Sequence, residues 1–141
     1  MRLAVVVISV LATACAPRPT LQFMPDPTPP AGPFSRAVRV GNLLFLAGQI
    51  GTDGSGRLVP GGIQAETRQT LENIRAELRR NGLEMDRVAK CTVFLADIAE
   101  WGRMNEVYAT FFPGPKPARS AAGVSGLALG ARVEIECIGA Y

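Results

Sequence analysis

Seven of the eleven prolines in this 141-residue chain fall between Pro17 and Pro33. Proline fixes its own backbone angle and has no N–H to give to a sheet or helix. A run this dense favours extended, polyproline-type backbone, and it divides the chain in three. Residues 1–14 precede it, 15–33 read as a spacer, and 34–141 are left to build a folded domain. That length suits one domain.

The first part reads as an address. Leu3 to Ala14 is almost wholly apolar after Arg2, and shorter than the roughly 20 residues that span a bilayer. The shape is that of a secretory signal peptide, with Ala12-Thr13-Ala14 as a small-x-small cleavage site. Cys15 follows directly, as in a bacterial lipoprotein signal, so cleavage between Ala14 and Cys15 is expected. Lipidation of Cys15 would hold the protein at a membrane surface. The expected location is exported: periplasmic or membrane-anchored.

Absences narrow the chemistry. The chain has no histidine, so Ser-His-Asp and Cys-His nucleophile systems and histidine-bearing zinc sites are excluded. Cys15, Cys91 and Cys137 are too far apart for a CxxC motif, and no metal site is expected. No dinucleotide or Walker motif occurs. Gly51-Thr52-Asp53-Gly54-Ser55-Gly56 lacks the lysine of a phosphate loop and reads as a hairpin turn. A dispersed formal charge of +3 is no nucleic-acid footprint. Arg68, Arg75, Arg79 and Arg80 are interleaved with Glu66, Glu72 and Glu77, which reads as a solvated helix face.

Periodicity supplies the elements. Strands are expected over Ser35–Val40, over the apolar run Leu43–Ile50 (covered on both faces) and, briefly, over Arg57–Val59. Thr67, Leu71, Ile74 and Leu78 recur at helical spacing within 63–81, and Gly82 stops the helix. Val88–Leu95 is a β-branched strand. Asp97 and Glu100 read as a capping box for a second helix with a core stripe of Trp101, Met104, Tyr108 and Phe111. Strands near Arg119–Val124 and Ala131–Ala140 complete a β-β-β-α-β-α-β-β order. Both helices cover one face of a mostly antiparallel sheet, and copies of the chain are the simplest cover for the other.

Arg132-Val133-Glu134-Ile135-Glu136-Cys137-Ile138 alternates polar and apolar residues, so Glu134 and Glu136 share one face and Val133, Ile135 and Cys137 the other. Cys91 and Cys137 read as small buried hydrophobes, which export could oxidise; sequence leaves their pairing open. Arg119, just after Pro117, and a carboxylate in the following strand can face one small acid. The guanidinium would grip its carboxylate and the glutamate would orient a water. Alone, Arg119 reads as a surface arginine and the two glutamates as the wet face of a strand.

The chain resembles the RidA/YjgF family of small imine deaminases over about residues 31–141. The resemblance rests on Gly32-Pro33-Phe34-Ser35-x-Ala37-Val38 with Gly41-Asn42, on Gly48-Gln49-Ile50, and on Gln69-x-Leu71-x-Asn73-Ile74. Thr92-Val93-Phe94-Leu95-x-Asp97, Asn105-x-x-Tyr108-x-x-Phe111-Phe112, Pro117-Ala118-Arg119-Ser120 and Val133-Glu134-Ile135-Glu136 complete it. It implies an α+β, two-layer, chorismate-mutase-like fold. It also implies a homotrimer with clefts between subunits, no cofactor, and hydrolysis of 2-imino acids to 2-oxo acids and ammonia.

By the same resemblance Arg119 binds the substrate carboxylate, Glu134 positions water, and Asn105 is a polar residue near the cleft. Phe34 stands where tyrosine is common, Ala47 where serine often precedes Gly48, and Ala121 where cysteine usually follows Arg-Ser. The backbone amide of Ala121 can still bind a carboxylate or oxyanion. These losses leave open a trimeric small-carboxylate binder or scaffold as the alternative to an enzyme.

Overall fold

The computed structural model describes residues 18–25 and 33–141. Its strands are β1 (Leu21–Met24), β2 (Ala37–Val40), β3 (Leu43–Leu46), β4 (Gln49–Ile50), β5 (Val88–Leu95), β6 (Ala118–Gly123) and β7 (Val133–Ala140). The helices are α1 (Gly62–Arg80) and α2 (Trp101–Tyr108). One sheet runs β1-β2-β3-β7-β5-β6, with β4 also pairing β7. Every pairing is antiparallel except β5 with β6. Both helices lie on one face of this sheet, the two-layer α+β arrangement expected.

The alternation in β7 sets which side is core. Val133, Ile135 and Cys137 are buried, as are Cys91, Val93 and Leu95 of β5. They meet Leu71, Ile74 and Leu78 of α1 and Met104 of α2 in one cluster. Each such side chain contributes roughly 1.5–3 kcal/mol by leaving water. Helix α1 ends at Gly82, whose φ of +76° is left-handed and which only glycine adopts without strain. The Leu83 N–H reaches the Leu78 carbonyl and the Gly82 N–H the Arg79 carbonyl, at 2.9 and 3.0 Å. That pattern is a Schellman closure.

The opposite face is bare in one chain. Phe23, Val38, Phe45 and Ile138 form one cross-strand row, and Leu21, Val40 and Leu43 another. Phe45 and Leu43 are 40% and 42% exposed. The expectation that Leu43–Ile50 is covered on both faces therefore fails within a single chain, where only Leu44 and Leu46 are buried.

Other expectations are revised by the geometry. Leu21–Met24, inside the proline-rich segment read as a spacer, is hydrogen-bonded to β2 along its whole length. Four consecutive non-proline residues suffice to complete a ladder that prolines on either side cannot extend. Arg57–Val59 forms no strand, and its contribution is a single bridge between Thr52 and Leu58. The turn between them is held by the Asp53 carboxylate, which accepts hydrogen bonds from Ser55 and Arg57. Asp97 does cap, taking the Ala99 N–H. Glu100 does not close the box, because its carboxylate goes to Arg132 at 2.9 Å.

Nor is the charged face of α1 uniformly solvated. Glu66 and Glu77 are buried. Glu77 accepts from Arg36 and Arg80, each at 2.8 Å, which fastens the entry of β2 to the end of α1. Glu66 accepts the Arg132 backbone N–H at 2.8 Å and so fixes the start of β7.

Candidate active site

Arg119 lies on β6, the strand at one end of the sheet. Its register partner on β5 is Cys91, and that of Ala121 is Val93. Partners across a ladder share a face, so both project toward the helices. There the Arg119 Nη1 donates to the Asn105 Oδ1 on α2 at 2.6 Å. The guanidinium carbon sits 4.7 Å from the centre of the Tyr108 ring and 5.8 Å from that of Trp101. A hydrogen bond and an aromatic face fix the plane of the cation. Its remaining donors are available to a ligand.

Asn105, Tyr108, Phe112, Lys116, Pro117 and Arg119, with Ala109, enclose a cleft of about 320 Å³. This is at the small end of the range for small-molecule sites. Tyr108 is buried, and its hydroxyl has no hydrogen-bond partner among the described residues. Burial pushes the Tyr108 pKa up to about 12, against the opposing pull of the Arg119 charge. The hydroxyl therefore stays protonated.

Glu134 is elsewhere. On β7 it pairs with Phe94 of β5 and Ile50 of β4, and its neighbours Val133 and Ile135 point into the core. Its side chain thus lies on the bare face. Within one chain Arg119 and Glu134 do not share a face. Their meeting, expected in a cleft between subunits, requires a second chain.

Two residues of the matched motifs gain definite roles from the Glu134 side. A Cβ at Gly48 would collide with the Glu134 carboxylate, so glycine there leaves the carboxylate room over the backbone. Asn73 of α1 donates to the carbonyls of Ile50 and Thr52, both at 3.0 Å. Gln69 in turn donates to Asn73 at 2.9 Å. This relay pins β4, the strand beside Glu134.

Of the other expected site residues, Asn105 is at the Arg119 cleft. Phe34 is 65% exposed before β2 and does not line that cleft. Cys15 and the segment 1–14 lie outside the described residues. Trp101, expected in the core, is 46% exposed, because it opens α2 at the Arg119 end of the helix layer. Cys91 and Cys137 are buried as expected, but they are joined as a disulfide rather than packed as thiols. They are direct partners across β5 and β7, which brings them within bonding reach. Tyr108 and Lys116 were not singled out for the site, although Lys116 stands just before the Pro117-Ala118-Arg119 motif.

Comparison with known proteins places this geometry. The model of a family described as Endoribonuclease L-PSP matches residues 25–141. The mouse (Mus musculus) 2-iminobutanoate/2-iminopropanoate deaminase is 46% identical over 108 residues, covering 76% of this chain and 80% of the mouse protein. The chain belongs to the RidA/YjgF family. Solved structures agree on the fold. The Rid-family protein YyfA of Yersinia pestis superposes with a TM-score of 0.76 at 40% identity, over 78% of this chain and 89% of its own. E. coli TdcF, crystallised with bound serine, gives 0.74 at 33% identity, over 78% and 89%. Arg119, Glu134, Asn105, Gly48 and Phe34 all fall inside the RidA/YjgF match.

Proposed function

We propose that this protein hydrolyses 2-imino acids to 2-oxo acids and ammonia, in clefts completed by two copies of the chain. The observation that carries the reading is Arg119. Its guanidinium is oriented by Asn105 and Tyr108 at a small cleft, as a clamp for a carboxylate requires. A mouse relative at 46% identity is named for 2-imino acid deamination, and a structural relative holds an amino acid.

Arg119 binds the carboxylate of the iminium acid, its plane set by Asn105 and the Tyr108 ring. Glu134 of a second copy accepts a hydrogen bond from a water and aims its oxygen at the C=N carbon. Addition forms the C–O bond, moves the π electrons to nitrogen and passes one water proton to the Glu134 carboxylate, giving a carbinolamine. The carboxylic acid hands that proton to the amine. The C–N bond then breaks with its electrons on nitrogen, the hydroxyl proton goes to the carboxylate, and ammonia departs from the 2-oxo acid. Positioning and one weak base serve because a protonated imine is already electrophilic.

The two-copy requirement follows from Arg119 and Glu134 lying on opposite faces, and the bare rows of β1, β2 and β3 offer an apolar surface for association. A homotrimer is the assembly we propose.

The test supplies an imino acid generated in situ and times its disappearance. Wild type should outpace Arg119→Ala by about two orders of magnitude. Equal rates would end the catalytic reading. Arg119-dependent affinity without any turnover would favour the binder instead, in keeping with the polar groups absent at Phe34, Ala47 and Ala121.

We further propose that the protein is exported and anchored through Cys15. The Cys91–Cys137 disulfide supports an oxidising compartment. Fractionation of cells expressing Cys15→Ala checks the anchor, and unchanged membrane association would remove it.

A further inference from the structure

The Arg119 cleft carries more positive charge than one carboxylate needs. Lys116 lines it together with Arg119, and no aspartate or glutamate does. Among the described residues no ion pair involves Lys116. Arg119 is tied to a neutral acceptor, the Asn105 carbonyl oxygen, so its charge is not neutralised either. Two cations lie in one small cleft, and the substrate iminium adds a third positive charge. Glu134 of the second copy and one substrate carboxylate offset two of these, which leaves one for a second carboxylate on the substrate.

We propose that Lys116 makes this site selective for dicarboxylic 2-imino acids, those derived from aspartate or glutamate, with Arg119 taking one carboxylate and Lys116 the other. This rests on the imine reading of the same cleft and names its substrate class. Apolar Phe112 and Pro117, which also line the cleft, suit the short carbon chain of such a substrate. Lysine acts here as a point charge on a flexible stem, which tolerates either chain length.

The experiment has two arms, each run on wild type, Lys116→Met and Lys116→Arg, with circular dichroism as the check on folding. In the first, kcat/KM is measured for imines made in situ from glutamate and from 2-aminobutanoate. The ratio of dicarboxylic to monocarboxylic substrate should fall tenfold or more in Lys116→Met, the loss expected of one charge-assisted hydrogen bond. Lys116→Arg should keep most of it. In the second, calorimetry measures binding of 2-oxoglutarate and 2-oxobutanoate, which are stable. Wild type should favour 2-oxoglutarate at least tenfold, and Lys116→Met should erase that preference. A wild type without preference, or a preference that survives Lys116→Met, overturns the proposal. Absence of all turnover would remove the deaminase reading alone, since the binding arm still decides the role of Lys116.

Discussion

Arg119 and Glu134 sit on opposite faces of one sheet. Arg119 shares the side of its ladder partner Cys91, and Glu134 the side of Phe94. A site that uses both must draw them from different copies. Arg119→Ala and Glu134→Gln should each be inactive alone. After the two are unfolded together and refolded, some clefts join the intact Glu134 of one variant to the intact Arg119 of the other. Activity should return to a sizeable fraction of wild type. A mixture as dead as its parents would mean that each site is built within one chain.

Gly48 supports Glu134 by lacking a side chain. A methyl group there would meet the carboxylate, and Gly48 is exposed, so the backbone should tolerate alanine. Gly48→Ala should lower kcat tenfold or more while the unfolding free energy from urea titration stays within about 0.5 kcal/mol of wild type, as for most surface changes. Loss of stability matching the loss of activity would show that Gly48 serves the fold instead.

Glu77 ties the entry of β2 to the end of α1 with one carboxylate. It accepts from Arg36, Arg80 and Asn81 at a side-chain exposure of 3%. Glu77→Ala leaves Arg36 and Arg80, which are partly exposed and can rehydrate. The cost should therefore fall near 1–3 kcal/mol, below that of a fully buried pair. Urea unfolding measures it. A change under about 0.5 kcal/mol would mean that water replaces the carboxylate without loss.

What the sequence makes legible depends on period and phase. The strands β5 and β7 and both helices carry long, regular patterns, and the expected bounds of β5 hold to the residue, Val88–Leu95. Local signals such as the stop at Gly82 also read correctly. Features set by the relation between elements do not. Nothing near Leu21–Met24 states that β2 will pair with it. The spacing of Glu66 and Glu77 on α1 does not tell that Arg132 and Arg36 arrive from elsewhere to bury them. The site divides in the same way. Arg119 and Asn105 could be named from motifs, and their contact is present. The alternation in β7 also puts Glu134 on the face away from the core, whereas the face of Arg119 needs its ladder partner Cys91. Gly48 and Asn73 were visible as motif letters, but their purpose needs the carboxylate above one and the carbonyls beside the other.

Tyr108 offers a test through pH. The chain has two tyrosines, and burial raises Tyr108 from an ordinary 10.0 to about 12. Absorbance at alkaline pH should show one phenol ionising near 12, and that transition should be absent from Tyr108→Phe. Because the folded pKa lies above the unfolded one, the neutral phenol's contribution to stability is fully present below about pH 10. It is lost as pH rises through 12, since the unfolded chain then sheds the proton more readily. Wild type should therefore lose stability between pH 10 and 12 more steeply than the variant. At neutral pH the variant should be as stable or slightly more so, because it deletes a buried hydroxyl that lacks a partner. Its affinity for a carboxylate should be unchanged, because the buried hydroxyl does not reach the cleft and the ring that backs Arg119 is kept. A several-fold loss of affinity would show that the hydroxyl reaches the ligand, and destabilisation at neutral pH that it has a partner in the fold.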